Sequence, residues 1–458
     1  MSAPAAPPTA LSAAAAVTLD AVPQVFGGNA RIVAGATIAG LDPAELVAAH
    51  GSPLFVYDLD VLTARVGALR AVLPPAAEVA YAVKANPSLA VLAHLARLRV
   101  GADVASGGEL TAAVRAGIPL DGIIFTGPGK TDAELGRALR LGVRAVTVES
   151  LEELDVLIEL RELAHLRQGL LLRLAIASGR EEKPIIGGPG AAKFGLTADE
   201  VDEAIDRLHR VGAAGGPGAP FEILGLHAFG ASNVRDADQL VDSVRELAAR
   251  AEAVAARHGT PLRLLDAGGG LGIPYADDEA PLDLARLGGG LATELETWTG
   301  RRPLCGGRLL LEPGRFLVGP MGAYVVRVTR TKPRDGRTIT VVDGGIHHLL
   351  RPALIGQGQR IVAVGEAATR ASTATLDVVG PLCTGLDVLA AGVTAPEPRA
   401  GDLLAVLDTG AYGFSESMPL FLSHPQPAEI VVTGGRAAVA RLRRDPEHVL
   451  EGQLIPSR

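Results

Sequence analysis

EVAYAVK, residues 78–84, is the first of eight short β-branched or Leu-rich runs that alternate with longer Ala/Leu/Arg/Glu stretches of helical period. The others are VGADVA (100–105), GIIFT (122–126), VRAVTVE (143–149), LLLRLAI (170–176), FEILGLH (221–227), LRLLDA (262–267) and RLLLE (308–312). A helix-like segment follows each, such as LEELDVLIELRELAHL after the fourth and DADQLVDSVRELAARAEAVAARHG after the sixth. Eight strand–helix units in about 250 residues predict a closed, parallel (β/α)8 barrel of the TIM type over residues 51–312. A doubly wound open sheet shares this period and stays the alternative.

Past residue 312 the texture changes. Strand-like pieces (YVVRVTRTK, RTITVVDGG, QRIVAV, ATLDVVG, DLLAVLDTG, AEIVVTGG) separated by Gly/Pro turns predict an antiparallel β-domain over 313–458, to which residues 25–50, with RIVAGATIAG, add a strand. Residues 1–24 are Ala/Pro-rich without a basic n-region, which predicts a disordered terminus and argues against a secretory signal. GAAGGPGAP (212–220) reads as a barrel loop. No uncharged stretch of about 18 residues suggests a membrane span, so a cytoplasmic protein is expected. Net charge is −8, with no Lys/Arg run, and nucleic acid is a poor partner. Cys305 and Cys383 are far apart and lack metal-ligand spacing; no disulfide framework and no metal site are expected, and Cys305 reads as a buried small hydrophobe.

Chemistry in such a barrel gathers at the C-terminal ends of its strands. Strand 1 ends in Lys84 and strand 2 near Asp103 and Ser106. Strand 3 runs into TGPGK (126–130) and strand 4 into Glu149. Strand 6 ends in His227, strand 7 in Gly268-Gly269-Gly270, and strand 8 in Glu312-Pro313-Gly314-Arg315. Singly, each has a plain reading. Lys84 can snorkel at the rim, His227 can be a satisfied core histidine, the glycines a tight turn, and Glu312 a salt-bridge partner. Jointly they are hard to assign to packing: a lysine in a cleft has a depressed pKa and a free amine for condensation with an aldehyde, and a glycine turn after strand 7 suits a phosphate.

Together, YAVKANP (81–87), DVASGGEL (103–110), KFGL (193–196), the histidine of GLHAFGAS (225–232), DAGGGLGIPY (266–275), EPGR (312–315), RPAL (351–354), GPLCTGLD (380–387) and GAYGFS (410–415) resemble the fold-type III decarboxylases dependent on pyridoxal 5′-phosphate (PLP), which include diaminopimelate, ornithine and arginine decarboxylases. The likeness spans about residues 50–435. It implies an alanine-racemase-like barrel plus β-domain and α-decarboxylation of an amino acid. Lys84 would carry PLP covalently, His227 would stack on its ring, and Glu312 would pair with the pyridine nitrogen and keep the ring a strong electron sink. Gly270, with Ser232 or Gly230 nearby, and Tyr412 would hold the phosphate; Asp103, Gly269, Gly314 and Arg315 join the cofactor site. Cys383 would supply or relay the proton to Cα from the partner subunit of a homodimer. Arg315 and Arg351, with Thr384 and Tyr412 beside them, would bind substrate.

Three departures bear on that substrate. Diaminopimelate decarboxylases carry an acid directly after the cysteine, where this chain has Thr384. The family's Tyr-Asn or Phe-Asn stretch is replaced by PLFLSHP (419–425), and the loop after strand 6 reads HAFGAS. These differences resemble the branch that acts on an aminoacyl group borne by a carrier protein. Free meso-diaminopimelate stays open if another acid, Glu416 first, takes the distal ammonium. Two other readings are weighed: an amino-acid racemase, disfavoured because that branch places an arginine where Glu312 stands, and a non-catalytic PLP-binding protein, disfavoured by the large β-domain with GPLC and GAYG.

Overall fold

The chain alternates strand and helix from residue 77 to 311, and in the computed structural model those strands close on themselves. The structure describes residues 33–34, 36–175, 193–212, 219–300, 307–356 and 358–456. The expected disordered stretch 1–24, most of the 212–220 loop and Cys305 lie outside them.

A two-stranded hairpin (β1, Val33–Ala34; β2, Thr37–Ile38) and a helix (α1, Pro43–His50) precede β3 (Leu54–Asp58) and α2 (Leu59–Val72). The barrel strands are β4 (Ala77–Ala82), β5 (Gly101–Val104), β6 (Ile123–Phe125), β7 (Ala145–Val148), β8 (Gln168–Arg173), β9 (Phe221–His227), β10 (Leu264–Asp266) and β11 (Arg308–Leu311). They pair in parallel in that order, and β11 closes on β4. The open-sheet alternative is thereby excluded. Between them run α3 (Leu89–Arg97), α4 (Gly107–Arg115), α5 (Asp132–Leu141), α6 (Leu151–Glu159), α7 (Ala198–Arg210), α8 (Ala237–His258) and α9 (Leu284–Thr299). Their starts are written locally. Ser106 and Ser150 accept the N3 amide as N-caps, and Thr131/Glu134 and Thr197/Glu200 form capping boxes. The apolar faces behind those caps pack on the barrel, whose interior is filled by residues such as Ala80, Ile124, Leu171 and Leu310.

After a short helix (α10, Arg315–Val318) the second domain follows: β12 (Gly322–Arg334), β13 (Arg337–Val342), α11 (Arg351–Ile355), β14 (Ile361–Val364), β15 (Thr373–Val379), β16 (Val388–Pro396), β17 (Leu403–Leu407), β18 (Ala428–Thr433) and β19 (Arg436–Arg441). Its sheet runs β16-β15-β13-β12-β3-β18-β19, with β17 bridging β12 and β14. The expectation of an antiparallel domain is corrected on two points. First, β13–β15 and β3–β18 are parallel, so the sheet is mixed. Second, β3, placed in the barrel by the 51–312 boundary, is a central strand of this sheet, paired with β12 on one side and β18 on the other. All five of its residues are buried, which explains its unbroken apolar LFVYD. Residues 33–50 add no strand to that sheet; Ile38, Leu46 and Val47 pack against its outer face beside Leu54 and Val56. Among the described residues, no helix is long and apolar enough to cross a membrane.

Candidate active site

Five barrel strands end in ionisable groups that converge. Lys84 sits on a single 3-10 turn, Val83–Ala85, that continues β4, and its Nζ donates to Asp103 Oδ2 at 3.1 Å. Asp103 stands level with Ala82 in the β4–β5 register and is 1% exposed. His227 closes β9 level with Asp266 of β10, and Glu312 follows β11. The His227 Nε2–Glu312 Oε2 separation is 3.6 Å, an ion-pair distance too long for a hydrogen bond. Both His227 ring nitrogens, Glu312 Oε1, Asp103 Oδ1 and Asp266 Oδ2 are buried without a hydrogen-bond partner. So many orphaned polar atoms in one place are costly unless a ligand meets them.

The electrostatics divide these carboxyls. Burial pushes Glu312 up, but His227 and Lys84 more than offset it and hold the group at about 2. Asp266 goes the other way: burial, then the Glu312 charge, raise it well above the carboxylate range. Asp103 is raised by burial and by Glu312 against the pull of Lys84. The expected depression of Lys84 is not found. Burial lowers it, yet Asp103 and Glu312 outweigh burial and raise it. A depressed lysine needs burial without carboxylates, and the sequence motif could not show that two point at one amine.

Backbone geometry makes the other half. Gly270 lies at φ +95°, and a Cβ there would fall 2.6 Å from Ala231 O; at Gly269 it would meet Glu312 O at 2.5 Å. The loop after β9 is stitched to this turn by Val234 N–H donating to Gly270 O at 2.8 Å and by Ile273 N–H donating to Asn233 Oδ1 at 3.0 Å. Lys84, Ser232, Gly269, Gly270, Glu312, Gly314, Arg315 and Tyr412 line one cleft, with Phe229 and Asn233, which the sequence reading passed over. Tyr412 holds a left-handed backbone (φ +54°), and its N–H donates to Ala85 O at 2.7 Å. Its ring lies between the guanidinium groups of Arg315 and Arg351, with Cζ 4.8 and 4.4 Å from the centroid. Tyr412 thus holds a sparsely populated backbone conformation of the kind that clusters at functional sites.

The two arginines differ. Arg315 donates to Tyr275 OH at 2.7 Å and Ser232 Oγ at 3.4 Å, and among the described residues it has no carboxylate partner. Arg351 Nη1 donates to both carboxylate oxygens of Glu416 at 2.9 Å. Arg315 therefore lacks a carboxylate counter-charge among the described residues, whereas the Arg351 charge is already paired with Glu416. Glu416 is spent likewise. Cys383 is exposed and is not among the cleft-lining residues; Thr384 follows it on a turn held by Asp387, which accepts from Leu382 N at 2.7 Å and Ile346 N at 2.8 Å. Tyr275 and Asp266 stood inside a quoted motif without a role; an ionisable residue at the end of strand 7 was the signal for the second.

Residues 59–319 match the family model described as pyridoxal-dependent decarboxylase, pyridoxal binding domain. The chain belongs to this family. Relatives of this decarboxylase include a diaminopimelate decarboxylase of Methanothermobacter thermautotrophicus, 34% identical over 92% of this chain and 96% of the relative. Another is the L-glutamyl-[BtrI acyl-carrier protein] decarboxylase of Niallia circulans, 29% identical over 90% of this chain and 97% of that one. The crystal structure of a diaminopimelate decarboxylase from M. jannaschii superposes with a TM-score of 0.84 at 25% identity, covering 94% of the decarboxylase and 99% of that chain.

Proposed function

We propose that this protein is a PLP-dependent α-decarboxylase whose substrate presents no free distal ammonium, an aminoacyl group tethered to a carrier protein being the first reading. The observation that carries it is the Arg351–Glu416 pair. In the diaminopimelate decarboxylases that the sequence resembles, an acid after the cysteine grips the distal ammonium and the matching arginine holds a carboxylate. Here Thr384 has no charge and Arg351 and Glu416 neutralise each other. A distal ammonium brought to this site loses a charge-assisted bond, about 1.5–3 kcal/mol.

The residues present fit the cofactor. Lys84 offers the amine that would hold it covalently. The unpartnered Glu312 oxygen would take a ring N–H, and the Gly269–Gly270 turn, Ser232 and Arg315 would receive a phosphate. Bound there, PLP supplies the electron sink for the pair left on Cα when CO2 departs. Pairing with the ring N–H would also offset the Glu312 charge, one of the two that favour a protonated Lys84. His227 would close one ring face against water. Cys383, exposed on its own subunit, would return a proton to Cα in the partner's site.

The test is CO2 release by PLP-loaded protein from glutamyl-carrier protein beside free meso-diaminopimelate, ornithine, lysine, arginine and glutamate, with Lys84→Ala as control. Turnover of the tethered substrate alone is expected. Robust turnover of meso-diaminopimelate would replace the reading with a lysine-pathway enzyme, and undiminished turnover by Lys84→Ala would remove Lys84 from its role.

A further inference from the structure

At the opposite, N-terminal mouth of the barrel lies a second cavity of about 610 Å3, a volume ordinary for a small-molecule site. Its floor is made of small residues where β4 and β5 begin and β6 is about to begin: Ala77, Ala80, Gly101 and Gly122. Its walls include Arg70, Arg99 and Arg144 against Glu78 and Asp121. Glu78 is already shared: Arg144 donates to it at 2.6 and 3.1 Å, and Arg308 is bonded to it as well. Arg70 donates only to carbonyls, Leu98 O at 2.7 Å and Arg99 O at 2.8 Å. Among the described residues neither Arg70 nor Arg99 has a carboxylate partner. Three arginines thus line the cavity against two carboxylates, one of which is also bonded to Arg308 from outside it, in a protein whose net charge is −8.

The backbone at Arg99 adds an independent observation. Three consecutive barrel helices end in the same Schellman pattern. Val100 N–H donates to Leu95 O after α3, Ile118 N–H to Ala113 O after α4, and Val143 N–H to Ala138 O after α5. The left-handed position is glycine in the latter two, Gly117 at φ +86° and Gly142 at φ +66°. In the first it is Arg99, at φ +56°. Glycine is the unstrained choice there, as its two neighbours show. Arg70, reaching from α2 to the carbonyls of Leu98 and Arg99, fixes the strained turn at the cavity wall.

The geometry points to a binding site at this mouth for a compact anion with two or more negative charges, of phosphate or polycarboxylate type, with Arg99 as its principal ligand. It stands apart from the decarboxylation cleft and does not depend on the substrate proposed above.

Titration calorimetry of the full-length, PLP-loaded protein with sodium pyrophosphate and, separately, sodium citrate, each against sodium chloride at matched ionic strength, tests it. Saturable single-site binding is expected with at least one salt. Arg99→Gly is expected to weaken it about tenfold while melting no lower than the parent, since glycine relieves the left-handed turn. Arg99→Gln, which keeps the turn strained, weakens binding to the same extent. Saturation by pyrophosphate alone assigns a phosphate ligand and by citrate alone a polycarboxylate. Absence of saturable binding to either, or binding that both variants leave unchanged, overturns the site.

Discussion

Glu312 carries a charge that its surroundings both oppose and demand, and its substitution is the sharpest test at the scale of single residues. Replacing it by glutamine keeps the shape and removes the charge that holds a ring nitrogen protonated. Glu312→Gln should lower kcat by about 10- to 100-fold, the worth of one charge-assisted bond, with KM little changed. Equal loss in kcat and KM effects, or none in kcat, would place Glu312 outside the reaction. A second residue-scale prediction concerns acid. His347 and His348 are fully buried with ring centroids 3.7 Å apart, and the tilted ring of His424 lies 4.8 Å from that of His347. Burial, then its histidine neighbour, lowers His347 to about 3, and burial and His347 lower His348 well below its usual value. Both native imidazoles stay neutral where those of the unfolded chain begin to charge. Their contribution is therefore complete above about pH 6.5 and is lost as pH falls below it, for His347 at about 1.4 kcal/mol per pH unit on the way to about 3. Urea midpoints at pH 7, 6 and 5 should fall more steeply for the parent than for His347→Gln. Of these side chains, Lys84, His227 and Glu312 were legible because each ends a strand of recognisable period. The Lys84 pKa and the Arg351–Glu416 pair were not, since both depend on residues far away in sequence meeting in space.

Among the elements, the turn after β10 is the one whose shape the site cannot spare. A methyl group at Gly270 would strain φ +95° and press on Ala231 O at 2.6 Å. Gly270→Ala should weaken PLP affinity at least tenfold, read as loss of bound-cofactor absorbance on dilution, while the barrel itself, held by other strands, unfolds at nearly the parental urea concentration. Retention of tight PLP binding would move the phosphate elsewhere. The barrel strands were legible from alternation with helices and from the Ser and Thr caps that begin those helices. The β-domain was less so. Six of its strands could be marked, but β16 and β19 are exposed or polar and lack a buried run, and β3 fell inside the 51–312 barrel boundary without being marked as a strand. Pairing direction is not written in period 2, so the parallel β3–β18 and β13–β15 contacts went unforeseen.

For the whole molecule, Cys383 and Leu386 on the same turn are exposed, and a homodimer that shares its sites would cover Cys383 and use it. Mixing Lys84→Ala with Cys383→Ser, each inactive alone, and allowing subunit exchange should restore about a quarter of parental CO2 release, because half the dimers are mixed and each has one intact site of two. No recovery would mean that each subunit completes its own site. The position of β3 has its own consequence for how the protein comes into being. Tyr57 leaves the ribosome some 265 residues before Gly322, the residue it faces in β12 (positions 57 and 322). Throughout translation of the barrel, the adhesive segment Leu54–Asp58 must wait without either neighbour, a natural hold for chaperones. A circular permutant that moves residues 33–58 behind Arg441 would let the sheet assemble in one uninterrupted pass.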